Sequence, residues 1–597
     1  MMLPSSRPPA RALLPLGAAL LLAVGALGAQ SPAVITDPTV DPRVGLKAGW
    51  LDAGSAARHM ELVATRPKPE GFFDRNALGN LGLANSDLAF RGNVAFLGNF
   101  WGLQFWDIAN PSAPTLIHAL PCPGGQGDPS IYGHLLFMSV EATNGRIDCG
   151  TQGAPGATNA ERFRGVRIFD VSDLKAPKQV AFVQTCRGSH THTVVPDPRD
   201  PSVVYIYVSG TSIVRSNAEL PGCSGAGPDR DVNTSLFRIE VIRVPLANPA
   251  DARIVNAPRI FADRASGRID GLWNGGTHGE GTQATSTTDQ CHDITVYPAL
   301  GLAAGACSGN GILLDIRDPA NPVRVDEVID TNFAYWHSAT FNNDGTSVLF
   351  TDEWGGGTSP RCRATDLPTW GADAIFSLDQ GKMRLRGYYK IPAAQTATEN
   401  CVAHNGNLVP VPGRDIKVQA WYQGGVSVFD FTDPARPFEI AFFDRGPMSD
   451  SMLLTSGYWS TYWYNGYIYG SEIGRGLDVL QLVPSEHLTA NELEAARLVR
   501  QVQLNPQSQA RLTWPAEFVV ARAYLDQLAR GTSVTAAQVG EMRRAVDAAE
   551  RATGGARRSA LETLATSASN AARTASGRDA TRLTALAETL RGIAVQP

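Results

Sequence analysis

Histidine recurs at one position of four predicted strands in the middle of the chain. The strands cover residues 189–195, 291–296, 336–341 and 403–409, and each runs into apolar residues typical of a strand. The chain has 10 histidines, and five of them fall in these segments, which is more than chance would readily give. They are His190, His192, His292, His337 and His404.

Acidic residues are expected at the same edge of the predicted sheets. A strand that pairs antiparallel with its predecessor returns to the edge where that predecessor began. Glutamates end three such returning strands, at Glu141, Glu353 and Glu472. Aspartates complete the polar candidates for this edge: Asp87 and Asp128, which stand where other copies have histidine, and Asp293, which follows His292.

Imidazoles and carboxylates together suit a divalent transition metal such as Zn, Fe, Cu or Mn, and three or four convergent histidines could hold one ion with a position left open. The candidate ligands are His190, His192, His292, His337, His404, Glu353 and Glu472, with Asp87, Asp128, Glu141 and Asp293 as polar neighbours on the rim.

Two other interpretations of these residues stay open. Histidine and glutamate could act as general base and acid without a metal. The histidines could also only bond the backbone of the next sheet and hold the sheets in register. No Gly-x-Ser-x-Gly, Gly-x-x-x-x-Gly-Lys or His-Glu-x-x-His motif offers a competing catalytic site.

An internal repeat shows which elements position these residues. Residues 102–111, 165–173, 311–319 and 425–434 share a glycine, an apolar strand and an aspartate that leads into a turn. Weaker copies put the anchor positions at 107, 170, 245, 315, 379, 430 and 478. Repeats of this length predict an all-β seven-bladed propeller, whose blades surround a central channel. A solenoid would require capping repeats and more uniform spacing.

The repeated strand resembles the LVIVD repeat of exported bacterial β-propellers over residues 80–485. The resemblance implies a propeller fold and export from the cell. It implies no particular reaction, because the family is defined by its repeat.

The N-terminus predicts export. Arg7 and Arg11 precede an apolar run over residues 12–27, and small residues follow, which is the layout of a signal peptide cleaved near residues 28–30. An uncleaved anchor helix is the alternative. After cleavage we expect no membrane span and a secreted or periplasmic protein. With 52 Lys and Arg against 57 Asp and Glu and no basic stripe, nucleic acid is not expected as a partner.

The eight cysteines favour disulfide bonds in an exported chain. Cys291 and Cys307 are predicted to pair, because they occupy opposite ends of one hairpin and meet at the same edge.

The predicted domains are a signal peptide over residues 1–29, an irregular segment over 30–79, the propeller over 80–487 and an α-helical domain over 488–597. Capping boxes at Thr489 and Thr535 support the helices. The favoured function is a binding or scaffold protein that recognises a protein, glycan or small-molecule ligand through its channel face or through rim loops over residues 150–162, 217–233 and 355–369. The alternative is a metal-dependent enzyme, an oxidoreductase or a hydrolase, with a His-ligated ion at the axis.

Overall fold

Short antiparallel strands make up most of residues 41–596, the part of the chain that this computed structural model describes, and helices follow at the C-terminal end. The predicted signal peptide lies outside the described residues. The strands begin with β1 (Ser55–Arg58) and β2 (Met60–Pro67). The expectation of an irregular segment over residues 30–79 was therefore wrong for residues 55–67.

Four-stranded antiparallel sheets of the form found in propeller blades follow in chain order. The first three are β3 (Asn85–Arg91), β4 (Val94–Asn99), β5 (Gly102–Asp107) and β6 (Thr115–Pro121); β7 (Pro129–Tyr132), β8 (Leu135–Val140), β9 (Gly165–Asp170) and β10 (Lys178–Gln184); and β11 (Thr193–Pro196), β12 (Val203–Val208), β13 (Glu240–Pro245) and β14 (Arg253–Asn256).

A hairpin of β15 (Asn274–Thr277) and β16 (Ala284–Thr287) precedes the fourth sheet. The fourth and fifth sheets are β17 (Asp293–Tyr297), β18 (Leu302–Cys307), β19 (Asn310–Asp315) and β20 (Val323–Val328); and β21 (Trp336–Phe341), β22 (Ser347–Asp352), β23 (Asp373–Asp379) and β24 (Lys382–Tyr389).

The last strands form one nine-stranded sheet, in which a parallel pair between Asn405 and Ser460 joins a sixth and a seventh unit. The sixth unit is β25 (Asn405–Leu408), β26 (Ile416–Ala420), β27 (Val426–Asp430) and β28 (Phe438–Arg445), with β1 beside β28; the seventh is β29 (Tyr458–Tyr464), β30 (Tyr467–Glu472) and β31 (Gly476–Leu482), with β2 beside β31. We call the units the first to seventh sheets.

The repeated sequence forms the third strand of a sheet. Gly102 begins β5 with a φ of 151°, and a Cβ there would lie 2.0 Å from the carbonyl oxygen of Leu120, so only glycine fits. At the other end, Asp107 Oδ1 accepts a hydrogen bond from the N–H of Ala109 at 2.8 Å. The same bond recurs at Asp170, Asp315 and Asp430. The aspartate of the repeat therefore builds the turn that follows each strand.

First strands of neighbouring sheets lie side by side. Thr193 Oγ1 donates to the carbonyl of Ile294, and Thr295 Oγ1 to the carbonyl of Ala339. At the other end of the series, Tyr462 in the seventh sheet donates to Asp87 Oδ1 in the first at 2.7 Å. These inner strands bring residues from distant parts of the chain together.

The C-terminal helices are α1 (Ala490–Arg497), α2 (Phe518–Ala529), α3 (Ala536–Arg551), α4 (Gly554–Ala572) and α5 (Gly577–Ala594). Helices α2 to α5 share an apolar core that includes Leu525, Leu561 and Leu586, whereas Leu493 and Ala496 of α1 pack in a core with the sixth and seventh sheets. None of the helices in residues 41–596 combines the length and the apolar character that a membrane crossing requires.

Residues 501–514 cross from α1 to α2 over the C-terminal ends of the first strands; we call them the crossing segment. Strand β32 (Gln503–Leu504) within it pairs with β3. Gln507 O accepts from the N–H of Val296, and Trp514 Nε1 donates to the carbonyl of Pro410. The predicted boundary near residue 488 therefore does not separate two independent units, because the tail returns to the sheets.

Disulfide bonds pair all eight cysteines: Cys122 with Cys149, Cys186 with Cys223, Cys291 with Cys307, and Cys362 with Cys401. The predicted pairing of Cys291 with Cys307 is confirmed.

Candidate metal centre

Four of the five predicted histidines form one cluster at the N-terminal ends of β11, β17, β21 and β25. His190 Nε2 lies 2.9 Å from His292 Nε2. The ring centroids of His292 and His337 are 3.9 Å apart, and those of His337 and His404 are 4.2 Å apart. The shared position in the sequence thus becomes contact between neighbouring sheets. We call His190, His292, His337 and His404 the histidine cluster.

A hydrogen-bonding partner contacts Nδ1 of every ring in this cluster. Glu141 Oε1 lies 2.7 Å from His190 Nδ1, and Asp293 Oδ1 lies 3.1 Å from His292 Nδ1. The carbonyl oxygen of Trp459 is bonded to His404 Nδ1, and Thr351 Oγ1 lies 3.4 Å from His337 Nδ1. A carboxylate or a carbonyl at Nδ1, as at His292 and His404, can accept the proton of that nitrogen and leave the lone pair of Nε2 for a metal ion, which is the usual environment of a histidine ligand.

Glu353 adds a carboxylate to the cluster. Its oxygens lie 3.7 Å from His337 Nε2 and 3.4 Å from His404 Nε2, and the hydroxyl of Tyr422 donates to Oε1. Ligand atoms of His292, His337 and Glu353 lie within 4.8 Å of one another. Among the described residues, Nε2 of His337 and of His404 has no hydrogen-bond partner although both atoms are buried. A buried polar atom without a partner is costly, so these atoms fit a metal ion.

Burial and neighbouring charges set the protonation states. Burial, reinforced by the other histidines, holds the pKa of His337 well below its ordinary value, so this ring is neutral. Burial alone would raise the pKa of Glu353, but His404 and Tyr422 outweigh it and the pKa is lowered. In the His190–Glu141 pair, attraction likewise outweighs burial: the pKa of Glu141 is lowered and that of His190 is raised. Both glutamates are therefore ionised at neutral pH.

The remaining candidates lie apart from the cluster. His192 Nδ1 bonds Ser139 Oγ at 2.8 Å, and burial lowers the pKa of His192 to about 3. Glu472 forms a 2.8 Å ion pair with Arg475 and accepts from the N–H of Gly457. Within residues 41–596, Glu472 forms no hydrogen bond or ion pair with a residue of the histidine cluster.

The two aspartates expected on the rim are buried; burial raises the pKa of both, and the nearby charge of Asp293 adds to the increase. Asp87 accepts from Tyr462 and from the N–H of Leu88, and Asp128 lies 3.3 Å from the N–H of His192. Of the polar candidates, Glu141 and Asp293 do reach the histidine cluster, as partners of His190 and His292. The alternation of side chains along a strand predicts which face of the sheet a residue occupies. It does not predict how far along the channel that residue lies.

Sequence reasoning missed two tyrosines beside the cluster. Tyr422 has a φ of 51°, uncommon for a residue other than glycine, and it lies 4.5 Å from His404 between ring centroids. Tyr335 stands edge-on to His292 at 5.9 Å. Tyr335 could have been noticed two residues before His337, but nothing local marks Tyr422.

His292, His337 and Glu353 bring two imidazole nitrogens and a carboxylate to one point, a donor set that suits Zn, Cu, Fe or Mn. Without a metal, Glu353 and a neighbouring histidine could exchange a proton with a bound molecule.

No family model matches the chain, and no curated protein matches it in sequence. Solved structures resemble it at low identity. A candidate 6-phosphogluconolactonase from Bacteroides fragilis has a TM-score of 0.37 and 10% identity, and covers 64% of this chain and 87% of its own. Hydrazine synthase from Kuenenia stuttgartiensis has 0.40 and 11%, covering 65% and 92%. A functionally unknown protein from Desulfotomaculum acetoxidans has 0.36 and 10%, covering 61% and 90%. These similarities carry no inference about activity.

Proposed function

We propose that the chain is an exported propeller of the LVIVD type with seven blades, and that it works as a metal-dependent enzyme with one divalent transition metal ion in the histidine cluster. Hydrogen bonds between successive first strands, and from the seventh sheet back to the first, support the count of blades. Strand β2 supplies the fourth strand of the seventh sheet from the opposite end of the chain.

The observation that carries the proposal is the shared orientation of the four imidazoles. Each Nδ1 has a partner, while Nε2 of His190 faces Nε2 of His292 at 2.9 Å and Nε2 of both His337 and His404 is buried without one. His404 bonds the backbone of the seventh sheet, as a histidine that holds sheets in register would, but His190, His292 and His337 bond side chains, and register alone would not require ligand atoms of His292, His337 and Glu353 to converge.

Nε2 of His292, Nε2 of His337 and the carboxylate of Glu353 would hold the ion, with His190 and His404 beside them. Such an ion supplies Lewis acidity or, if redox-active, electron transfer, which fits a hydrolase or an oxidoreductase. Glu141 orients His190 and raises its pKa, and Asp293 orients His292. Tyr422 orients Glu353 through its hydroxyl.

Metal analysis by inductively coupled plasma mass spectrometry tests the proposal on protein purified without chelator. We expect about one transition metal ion per chain, lost in His292→Ala and His337→Ala. The exposed His134 provides a matched control, and His134→Ala should keep the ion. His192→Gln should also keep it, because His192 lies outside the cluster.

If the protein is metal-free in every preparation, the binding or scaffold function is favoured instead. The structural observation that supports this second function is the arrangement of the rim loops. Glu219 joins two of them through ion pairs with Arg162 and Arg215, and the Cys186–Cys223 disulfide fixes the same region. Such fixed loops suit recognition of a protein, glycan or small molecule. Four disulfides support a secreted or periplasmic location under either function.

A further inference from the structure

A cavity of about 380 Å³ lies beside the histidine cluster. The β15–β16 hairpin forms one wall, with Ala284 and Ser286, and the other wall contains Tyr335 and Trp354. A volume of this size is typical of small-molecule sites. Nothing in the metal-binding arrangement itself requires this cavity.

Tyr335 and Trp354 connect the cavity to the candidate metal centre. Trp354 follows Glu353 in sequence, and the N–H of Glu353 donates to the carbonyl of Tyr335 at 3.0 Å. The ring of Tyr335 stands perpendicular to that of His292. The Tyr335 ring therefore lies between a molecule in the cavity and the histidine cluster. At the opposite ends of the first strands, the crossing segment covers the sheets.

The walls indicate which molecules fit. No residue that lines the cavity carries a charge. Trp354 is 7% exposed and packs against Trp370 at 4.7 Å between ring centroids, with the guanidinium of Arg361 over its ring at 4.5 Å. The polar atoms available are those of Gln283, Ser286 and the Tyr335 hydroxyl, and this hydroxyl forms no hydrogen bond within residues 41–596. Such walls favour an aromatic molecule that contacts the edge of Trp354 and the ring of Tyr335 and makes one or two hydrogen bonds.

We propose that this cavity is the substrate site, that it takes a neutral aromatic molecule, and that the Tyr335 hydroxyl hydrogen-bonds the molecule beside the metal centre. The role of the metal rests on the proposed function, whereas binding in the cavity does not. A charged molecule would lose hydration without gaining a partner, because the walls offer no opposite charge.

Equilibrium dialysis with 1-naphthol, a neutral bicyclic alcohol, tests the site in the full chain. We expect saturable binding, and at least about tenfold weaker binding of naphthalene-1-carboxylate and 1-naphthylmethylammonium. Tyr335→Phe should weaken 1-naphthol binding about fivefold, the effect of one lost hydrogen bond. Ala284→Trp fills the cavity from an exposed strand position and should abolish binding, whereas Ala536→Trp on the exposed start of α3 should not.

Metal content measured on the same samples separates the two proposals. Protein that is metal-free in every preparation and still binds 1-naphthol would overturn the metal centre and leave the cavity assignment standing. Metal-loaded protein that does not bind 1-naphthol, that binds it equally after Ala284→Trp, or that prefers either charged probe would overturn the cavity assignment. An unchanged affinity in Tyr335→Phe would overturn the role of the hydroxyl.

Discussion

At the scale of single residues, the cluster depends on the groups that hold its ligands. Tyr422 reaches Glu353 from a backbone conformation with positive φ. Gly457 packs against that turn so closely that a Cβ would lie 2.0 Å from the carbonyl carbon of Tyr422. Such a conformation persists only where its surroundings enforce it, and such positions are enriched at functional sites.

Tyr422→Phe should weaken metal binding without removing a ligand. The change deletes the hydroxyl that donates to Glu353, so we expect about 10- to 100-fold lower metal affinity, the usual cost of losing such a supporting bond. Competition with a chelator of known affinity measures this. Tyr464→Phe is the matched control, since that hydroxyl bonds the carbonyl of Gly92 elsewhere. Equal affinities in the two variants would contradict the role of Tyr422.

At the scale of elements, segments from both ends of the described chain complete the sheets. Strand β2 pairs with β31 from Met60 opposite Leu482 to Pro67 opposite Gly476. The crossing segment pairs with β3 and then bonds the second, fourth and fifth sheets through Asn505, Gln507 and Gln509. The crossing segment thereby ties the first, second, fourth and fifth sheets together at the ends of their first strands away from the histidines.

Asn505→Ala should release the crossing segment. Asn505 exchanges two hydrogen bonds with the backbone of Ile131, at 2.7 and 2.8 Å, and the change leaves both buried groups unpaired at a cost of about 2 kcal/mol or more. We expect faster amide exchange at Ile131 and faster tryptic cleavage after Arg511, both measured by mass spectrometry. Thr513→Ala changes an exposed residue of the same segment and should alter neither. Unchanged exchange in Asn505→Ala would show that the segment is held by other contacts.

At the scale of the whole molecule, the helices are docked on the sixth sheet. Gln527 of α2 donates to the carbonyl of Pro412, and Arg578 of α5 lies 3.4 Å from Asp415 Oδ2. Burial raises the pKa of Asp415 to about 6, although Arg578 and Asn342 act in the opposite direction and Asp344 and Asp430 add to the increase. The junction therefore contains a carboxyl group that burial makes unfavourable when charged.

The sign of the resulting pH dependence follows from this raised pKa. The folded state binds the proton more tightly than the unfolded state, so the contribution of Asp415 to stability is complete below about pH 4 and is lost as the pH rises to about 6. The difference is up to about 3 kcal/mol for a shift of about two pKa units.

Asp415→Asn should remove this loss. We expect the variant to be more stable than the parent protein at pH 7 and to lose less stability between pH 4.5 and pH 7 in urea unfolding followed by circular dichroism. Asp433→Asn, at an exposed position after β27, should keep the pH profile of the parent protein. A parallel decline of Asp415→Asn and the parent protein over this pH range would refute the assignment.

The sequence by itself determined where the repeated strand occurs and that four histidines occupy the same position relative to their strands. The glycine and aspartate of the repeat act through local geometry, a positive φ and a turn, so their spacing predicts strand and turn directly. The capping boxes at Thr489 and Thr535 are local in the same sense, and both are formed. Cys291 and Cys307 pair because one hairpin joins them.

Tertiary structure alone decided which of these residues meet. His190 and His192 both lie just before β11 but contact different neighbours, His190 the ring of His292 in the fourth sheet and His192 the hydroxyl of Ser139 in the second. Tyr422 and Glu353 are 69 residues apart, and β2 pairs with a strand near residue 480. Such contacts depend on how successive sheets are placed around one axis, and no local pattern of residues encodes that placement.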